Sequence, residues 1–175
     1  MNTVDITLTK REEHECLILG ADTVKLCQMQ GFNPRLENEN QSRTEANQYG
    51  FMAEYAVAKL YNLDKPTLNV TTDGGVDLWW GNETIDVKYT ATTKLIFDNE
   101  KKFSSDYAIL VTKQFEGLDD APKVFRIHGW VDKKTFVSNC NTHDFGYGKR
   151  LVMDASELFT PEKFWLQMRM KELKQ

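Results

Sequence analysis

Cysteine and histidine are scarce in this sequence, and their positions exclude the common disulfide and zinc frameworks. The three cysteines, Cys16, Cys27 and Cys140, include no CxxC pair, and an odd count argues against a disulfide framework. The three histidines are scattered without the spacing of a zinc site. This usage is typical of a reducing compartment, so we expect a cytoplasmic protein.

Long apolar runs and an excess of positive charge are also missing. No segment has the pattern of a signal peptide or of a membrane span, so no membrane partner is expected. Lys and Arg number 22 against 26 Asp and Glu, a formal net charge of −4. The overall basic footprint of many nucleic-acid-binding proteins is therefore absent. A local basic strip or a bound cation can still bring a phosphate group to an acidic protein.

What the chain does contain is enough apolar material for one core. Its 175 residues are 41% hydrophobic, which predicts a single domain over residues 1–175. The order of the predicted elements is helix, sheet, helix, and it favours an α/β or α+β fold. Predicted helices cover 9–30, 42–61 and a segment opened by Thr160-Pro161; predicted strands cover 67–71, 75–80, 83–89, 106–113, 123–131 and, as an edge strand, 149–154. The polar stretches 31–42, 90–105 and 139–148 are predicted loops.

Two capping boxes mark where the first helices begin. Thr9 precedes Glu12, and Ser42 precedes Glu45, each at the spacing that satisfies two free amides of a first turn. In the second helix a stripe at 3.6-residue spacing predicts the core face. The stripe comprises Ala46, Gly50, Ala53, Val57 and Leu60. We expect Gly50 to let this helix approach the sheet closely, which would bring Glu54, one turn later, near the sheet.

A tight hairpin is predicted around Gly81-Asn82, because Gly at the first turn position is typical of a type II′ turn. Strand side chains alternate between faces. One face then carries Asp77, Asp86 and Lys88, together with Trp79 and Thr84. The opposite, core face carries Val76, Leu78, Trp80, Ile85, Val87 and Tyr89. In this register Asp77 lies opposite Asp86, with about 5 Å between the Cβ atoms.

Two opposed carboxylates repel each other and destabilise a sheet, so a compensating charge is expected. Lys88 supplies part of it, and a divalent ion such as Mg²⁺ or Mn²⁺, which prefers carboxylate oxygens, would supply more. The alternative is an ordinary solvated polar face. A calcium loop over residues 73–77 is a weaker alternative, because the downstream ligands of such a loop are missing.

These residues resemble the motif of the PD-(D/E)XK nuclease superfamily. Asp77 is followed, after eight residues, by Asp86-Val87-Lys88 in the D/E-x-K position, and 50–54 resembles the first core helix, which often supplies a glutamate. The strand 106–113 and the segment 127–131 resemble the continuation in phage and restriction-type members. The resemblance covers about 42–165. It implies a restriction-endonuclease-like core, with a central mixed β-sheet flanked by helices. Two departures are Val76 where the motif has proline, and Asp86 instead of the commoner glutamate.

The resemblance implies a Mg²⁺-dependent nuclease that hydrolyses phosphodiester bonds in nucleic acid, with DNA as the expected substrate and the host cytoplasm as its location if it is phage-encoded. Asp77, Asp86 and Glu54 are the implied ligands of Mg²⁺, for which Mn²⁺ could substitute. The Val87 carbonyl is a further implied ligand. Lys88 would orient the attacking water or stabilise charge on the phosphate. Glu45 is a rival to Glu54, although the capping box already gives it a role.

Several alternatives stay open at this stage. A non-catalytic nucleic-acid-binding or assembly protein on the same fold is one, and a plain interaction module without metal is another. DNA or RNA, endonuclease or exonuclease, and a monomer or a homodimer that cuts two strands are equally open. The lysines that could follow a phosphate backbone, or simply be solvated, are Lys94, Lys101, Lys102 and Lys113. Trp79 could stack on a base or pack under the first helix.

Overall fold

The computed structural model describes residues 2–31, 42–68, 76–114, 121–146 and 148–174. These residues form a mixed α+β fold with two β-sheets. The helices are α1 (Lys10–Met29), α2 (Arg43–Tyr61), α3 (Lys133–Asn139) and α4 (Pro161–Glu172). The strands are β1 (Val4–Thr7), β2 (Leu78–Trp80), β3 (Glu83–Tyr89), β4 (Lys94–Phe97), β5 (Tyr107–Lys113), β6 (Val124–Asp132), β7 (Asn141–Asp144) and β8 (Lys149–Asp154).

The starts of the helices follow the local sequence signals. Both predicted capping boxes are present, at Thr9 with Glu12 and at Ser42 with Glu45. Proline occupies the first turn of α4, where its missing amide costs nothing. The predicted loop 31–42 lies almost wholly outside the described residues. No helix in the described ranges is long and apolar enough to cross a membrane.

The larger sheet has the order β1-β6-β5-β3-β2. β3 and β5 are parallel, and the other neighbouring pairs are antiparallel. The expected mixed sheet flanked by helices is thus confirmed, as are the strands predicted at 106–113 and 123–131. Among the described residues, β2 is an edge strand of this sheet.

Several expectations for the loops and edges are wrong. β1 was not foreseen, and the supposed loops 90–105 and 139–148 contain β4 and β7. β8 is the middle strand of a second sheet ordered β4-β8-β7, not an edge strand. Residues 67 and 68 are not strand, and the rest of the strand predicted at 67–71 lies outside the described residues.

Both faces of the larger sheet are covered. On one face, α2 and α4 pack against alternate residues of the central strands; this cluster includes Ala53, Val57, Ile85, Val87, Ile109 and Phe164. On the other face, the second sheet and α3 pack against the intervening residues; this cluster includes Leu95, Phe97, Ala108, Leu110, Val131 and Phe136. Asp86 and Lys88 stand on this second face, since they pair in parallel with Ala108 and Leu110.

The close approach expected at Gly50 is found at a different glycine. A Cβ at Gly50 would meet nothing within 4 Å, so its lack of a side chain does not position α2. A Cβ at Gly20 would lie 2.7 Å from the backbone N of Gln48, so Gly20 is where α1 and α2 come together. Of the predicted stripe, Ala53 and Val57 are fully buried, whereas the other members are only partly buried.

Candidate active site

The hairpin has the predicted turn and the predicted register up to its last ladder pair. Gly81 takes a φ of +60°, which explains why glycine stands there. Leu78 pairs with Ile85 and Trp80 with Glu83. The side chains that we expected on the core face are all buried or half-buried. Because side chains alternate along β3, Asp86 and Lys88 lie on the opposite face, as the sequence predicts.

Asp77 departs from the predicted geometry. Its amide donates to the Ile85 carbonyl (2.9 Å), and the ladder ends at Leu78 and Ile85. The ladder therefore does not include the expected pair of Asp77 with Asp86, although the two carboxyl groups interact directly. The carboxylate Oδ2 of Asp77 accepts the Val87 amide at 2.6 Å, in the place of a backbone carbonyl. This bond fixes the Asp77 carboxylate beside the Asp86–Val87 segment.

Asp86 is the most deeply buried acid of the site. Its exposed fraction is 1%, and neither carboxylate oxygen accepts a well-formed hydrogen bond from the described residues. The Nζ of Lys88 nevertheless lies 2.8 Å from Oδ1. Burial raises the pKa of Asp86 to about 7, and the charge of Asp77 adds to this effect while Lys88 opposes it. A buried carboxylate with so few partners is costly.

Glu54 reaches the same site from α2. Its pKa is raised well above the usual value, first by burial and then by the charges of Asp77 and Asp86; Lys88 acts in the opposite direction. Burial also raises the pKa of Asp77, against the effects of the Val87 amide and of Lys88. The structure therefore brings the four predicted side chains into one electrostatic cluster, which we call the acid cluster (Glu54, Asp77, Asp86 and Lys88).

Glu45, the rival to Glu54, has a structural role. It is exposed, and its carboxylate accepts the Ser42 amide at 3.0 Å. It therefore caps α2, as the capping box predicted.

Lys88 is held from two sides. It is 36% exposed, and its Nζ lies 5.1 Å from the centre of the Phe97 ring as well as next to Asp86. Phe97 belongs to β4, the strand missed in a stretch whose composition is mostly polar. A cation over an aromatic face is stabilised by the ring quadrupole. Phe97 therefore helps to keep the ammonium group at the acid cluster.

The acid cluster has the donor chemistry for a divalent metal ion. Carboxylate oxygens are the ligands that Mg²⁺ and Mn²⁺ prefer, and the Asp86 oxygens, which accept no well-formed hydrogen bond from the described residues, have unused acceptor capacity. In a strand the amide and carbonyl of one residue point to the same side, so the Val87 carbonyl lies on the same edge of β3 as the amide that bonds Asp77. The described residues nevertheless contain no group of three acidic, His or Cys side chains already gathered to hold a metal ion. The acid cluster therefore fits a divalent metal ion in the type of its donor atoms and in their position in the fold.

The accessory residues divide into exposed and structural ones. Trp79 is 59% exposed, which argues against the alternative that it packs under the first helix. Lys101 and Lys102 are exposed on a short 3-10 turn. Lys113 lies 4.8 Å from the ring centre of Tyr49. Lys94 is half-buried in β4.

Two features away from the acid cluster were not predicted. The buried His128 ring shares a hydrogen bond of 2.8 Å with Thr112, and burial lowers its pKa. No pattern in the sequence marks this pair, which joins β5 to β6. An apolar groove of about 360 Å³ lies between β1, α2 and α4, lined in part by Leu60 and Trp165. Its lining has a single carboxylate, so it offers no comparable chemistry.

Comparison with known proteins adds no relative. The chain matches no protein-family model, and searches of curated proteins and of solved structures give no significant match.

Proposed function

We propose that this protein is a Mg²⁺-dependent nuclease that hydrolyses phosphodiester bonds in nucleic acid, with DNA as the favoured substrate. The observation that carries the proposal is Asp86, a buried carboxylate that accepts no well-formed hydrogen bond from the described residues, has the Lys88 ammonium at 2.8 Å, and shares its surroundings with Asp77 and Glu54. Burial raises the pKa of all three acids, so their charged forms lower the stability of the fold at neutral pH. Such an arrangement is typical of sites that bind a cation or perform chemistry.

The resemblance to the PD-(D/E)XK superfamily assigns the roles within the acid cluster, and the restriction-endonuclease-like core is part of the same proposal. Asp77 and Asp86 would hold the ion, and Glu54 and the Val87 carbonyl would be further donors. When bound, Mg²⁺ or Mn²⁺ would polarise a phosphoryl oxygen and lower the pKa of a water molecule. The bond from the Val87 amide keeps one Asp77 oxygen in place.

Lys88 contributes a fixed positive charge at the acid cluster. Its ammonium group is partly exposed and is steered by Asp86 on one side and by Phe97 on the other. A phosphate that reaches the cluster can accept a hydrogen bond from it. Charge that develops on the phosphate oxygens is then stabilised by a preorganised donor, usually a large contribution to catalysis.

A non-catalytic nucleic-acid-binding or assembly protein on the same fold is the second candidate. The observation in its favour is that Lys88 already neutralises Asp86 at 2.8 Å, while the described residues hold no ready-made metal-ligand group. In that protein the ion pair would be permanent, and no metal would be needed. The two candidates differ in whether Mn²⁺ binds and whether nucleic acid is cut.

A cleavage assay on a panel of substrates separates the two candidates. The panel contains plasmid, linear duplex, single-stranded DNA, branched DNA and RNA, each with Mg²⁺, with Mn²⁺ and with EDTA. The nuclease predicts cutting with either metal and none in EDTA. If no substrate is cut and calorimetry detects no binding of Mn²⁺, the nuclease proposal is wrong and the binding protein stands.

A further inference from the structure

The most exposed tryptophan shown by the structure lies on the hairpin of the acid cluster. Trp79 is 59% exposed, although tryptophan is normally highly buried. It lies two residues from Asp77 on an edge strand, so about 7 Å of strand separates them. Its cross-strand partner is Thr84, which places its indole on the sheet face of Asp86 and Lys88.

The strand opposite Trp79 is braced by hydrogen bonds to the rest of the fold. The amide and hydroxyl of Thr84 both donate to the Asp106 carboxylate, at 2.8 and 2.7 Å. The Asp106 carbonyl in turn accepts the amide of Lys133 at 3.2 Å. Trp79 is therefore an aromatic side chain on a braced strand pair rather than on a free loop.

Positive charge is available on the same side of the sheet. Lys133 and Lys134 form the first turn of α3, whose Phe136 packs on that face. Lys101 and Lys102 precede Phe103, which packs in the same cluster. An aromatic platform with lysines near it is the combination that binds single strands, because every base has a π-face and every nucleotide has a phosphate.

We propose that Trp79 stacks on an unpaired nucleobase and so selects single-stranded nucleic acid, or the single-stranded part of a branched one, for the acid cluster. This inference rests on the proposed function for its biological meaning. In a closed duplex the bases are stacked on each other, so their faces are not open to an indole. The ligand chemistry is the base face together with the phosphate backbone, which DNA and RNA share.

Tryptophan fluorescence tests the contact without any cleavage. The protein is titrated in EDTA with oligo-dT, with oligo-rU and with a blunt duplex, and labelled oligonucleotides give the affinities by anisotropy. We expect quenching by the single strands that disappears in Trp79→Phe and persists in Trp165→Phe, a control tryptophan that is 44% exposed on α4. Trp79→Ala should weaken single-strand binding about 5- to 100-fold, as one lost stacked base predicts. The oligo-dT and oligo-rU arms show which nucleic acid is bound.

Three outcomes overturn the inference. They are equal single-strand affinity in wild type and Trp79→Ala, quenching that survives in Trp79→Phe, and Trp79 emission that shifts with protein concentration because a second copy covers the residue. The substrate panel judges the nuclease separately. A protein that cuts duplex with metal but shows one of these outcomes is a nuclease without the stacking contact. If the protein cuts nothing and binds no Mn²⁺, loss of single-strand binding in Trp79→Ala supports the contact and refutes the nuclease.

Discussion

The Nζ of Lys88 lies 2.8 Å from the Oδ1 of Asp86, two residues away on the same strand face. Removing the ammonium group takes away a donor to the phosphate and a partner of Asp86. We expect Lys88→Ala to lower the cleavage rate by about 100-fold or more, the usual cost of losing one such donor. Lys25→Ala, at an exposed lysine of α1, is the control for the loss of one positive charge. The proteins are compared by initial cleavage rate, with circular dichroism to confirm that both fold. A fully active Lys88→Ala protein would overturn the mechanism.

Removing both charges, with shape kept, separates a metal site from a plain interaction module. Asp77→Asn/Asp86→Asn keeps an acceptor for the Val87 amide and relieves the repulsion. We expect it to be at least as stable as wild type in EDTA. Wild type should gain about 2.7 kcal/mol at a Mn²⁺ concentration of 100 times Kd, and the variant nothing. Thermal melts with and without Mn²⁺ measure this. If wild type gains no stability, the module without metal is favoured.

Asp86 predicts how stability depends on pH when no metal is present. Its pKa is about 7 in the folded chain and near 3.8 when unperturbed. Between about pH 4 and 7 the folded state therefore keeps a proton that the unfolded state has released. The free energy of unfolding falls as pH rises through this window, by on the order of a few kcal/mol. The raised pKa values of Glu54 and Asp77 act in the same direction.

Urea unfolding in EDTA at pH 5 and pH 8 checks this sign. Asp86→Asn removes the contribution of Asp86 itself and its charge effect on the pKa of Glu54, so its stability should change less between the two pH values than that of wild type. If the free energy of unfolding changes equally in the two proteins between pH 5 and pH 8, Asp86 does not have the raised pKa.

The two helical glycines give a matched test of the packing of α1 on α2. Gly20→Ala places a methyl group 2.7 Å from the Gln48 backbone N, so the helices must separate. We expect a loss of about 1–3 kcal/mol, as for other overpacked sites. Gly50→Ala has open space and should gain about 0.5–1 kcal/mol through helix propensity. Chemical denaturation measures both, and a stabilised Gly20→Ala protein would contradict the packing.

The sequence predicted those features that depend on local chemistry. The capping boxes at Thr9 and Ser42, the turn at Gly81 and the alternation in β3 each depend on residues a few positions apart. These signals were sufficient to place Asp86 and Lys88 on one face. They also identified Glu54 through its place on α2, although the reason given, close packing at Gly50, was wrong.

What the sequence did not predict depends on contacts between distant segments. β1 pairs with β6, more than 110 residues later, and no local pattern reports such a partner. β7 has exposed side chains throughout, so it lacks a hydrophobic alternation. The Asp77 amide donates to the Ile85 carbonyl, and the ladder ends at Leu78 and Ile85. The alternation of side chains along a strand does not predict such a detail of backbone geometry. The contact of Lys88 with Phe97 is also absent from the prediction, because the polar composition of 90–105 predicts a loop where β4 lies.

The most direct test of the central claim is cleavage by wild type, Asp86→Asn and Asp64→Asn in parallel. Asp64 is an exposed aspartate just after α2, so it controls for loss of one negative charge. On the preferred substrate with Mn²⁺, the account predicts equal cutting by wild type and Asp64→Asn, and at least about 100-fold slower cutting by Asp86→Asn. Equal rates for all three proteins would contradict it, because the buried carboxylate would then take no part in the reaction.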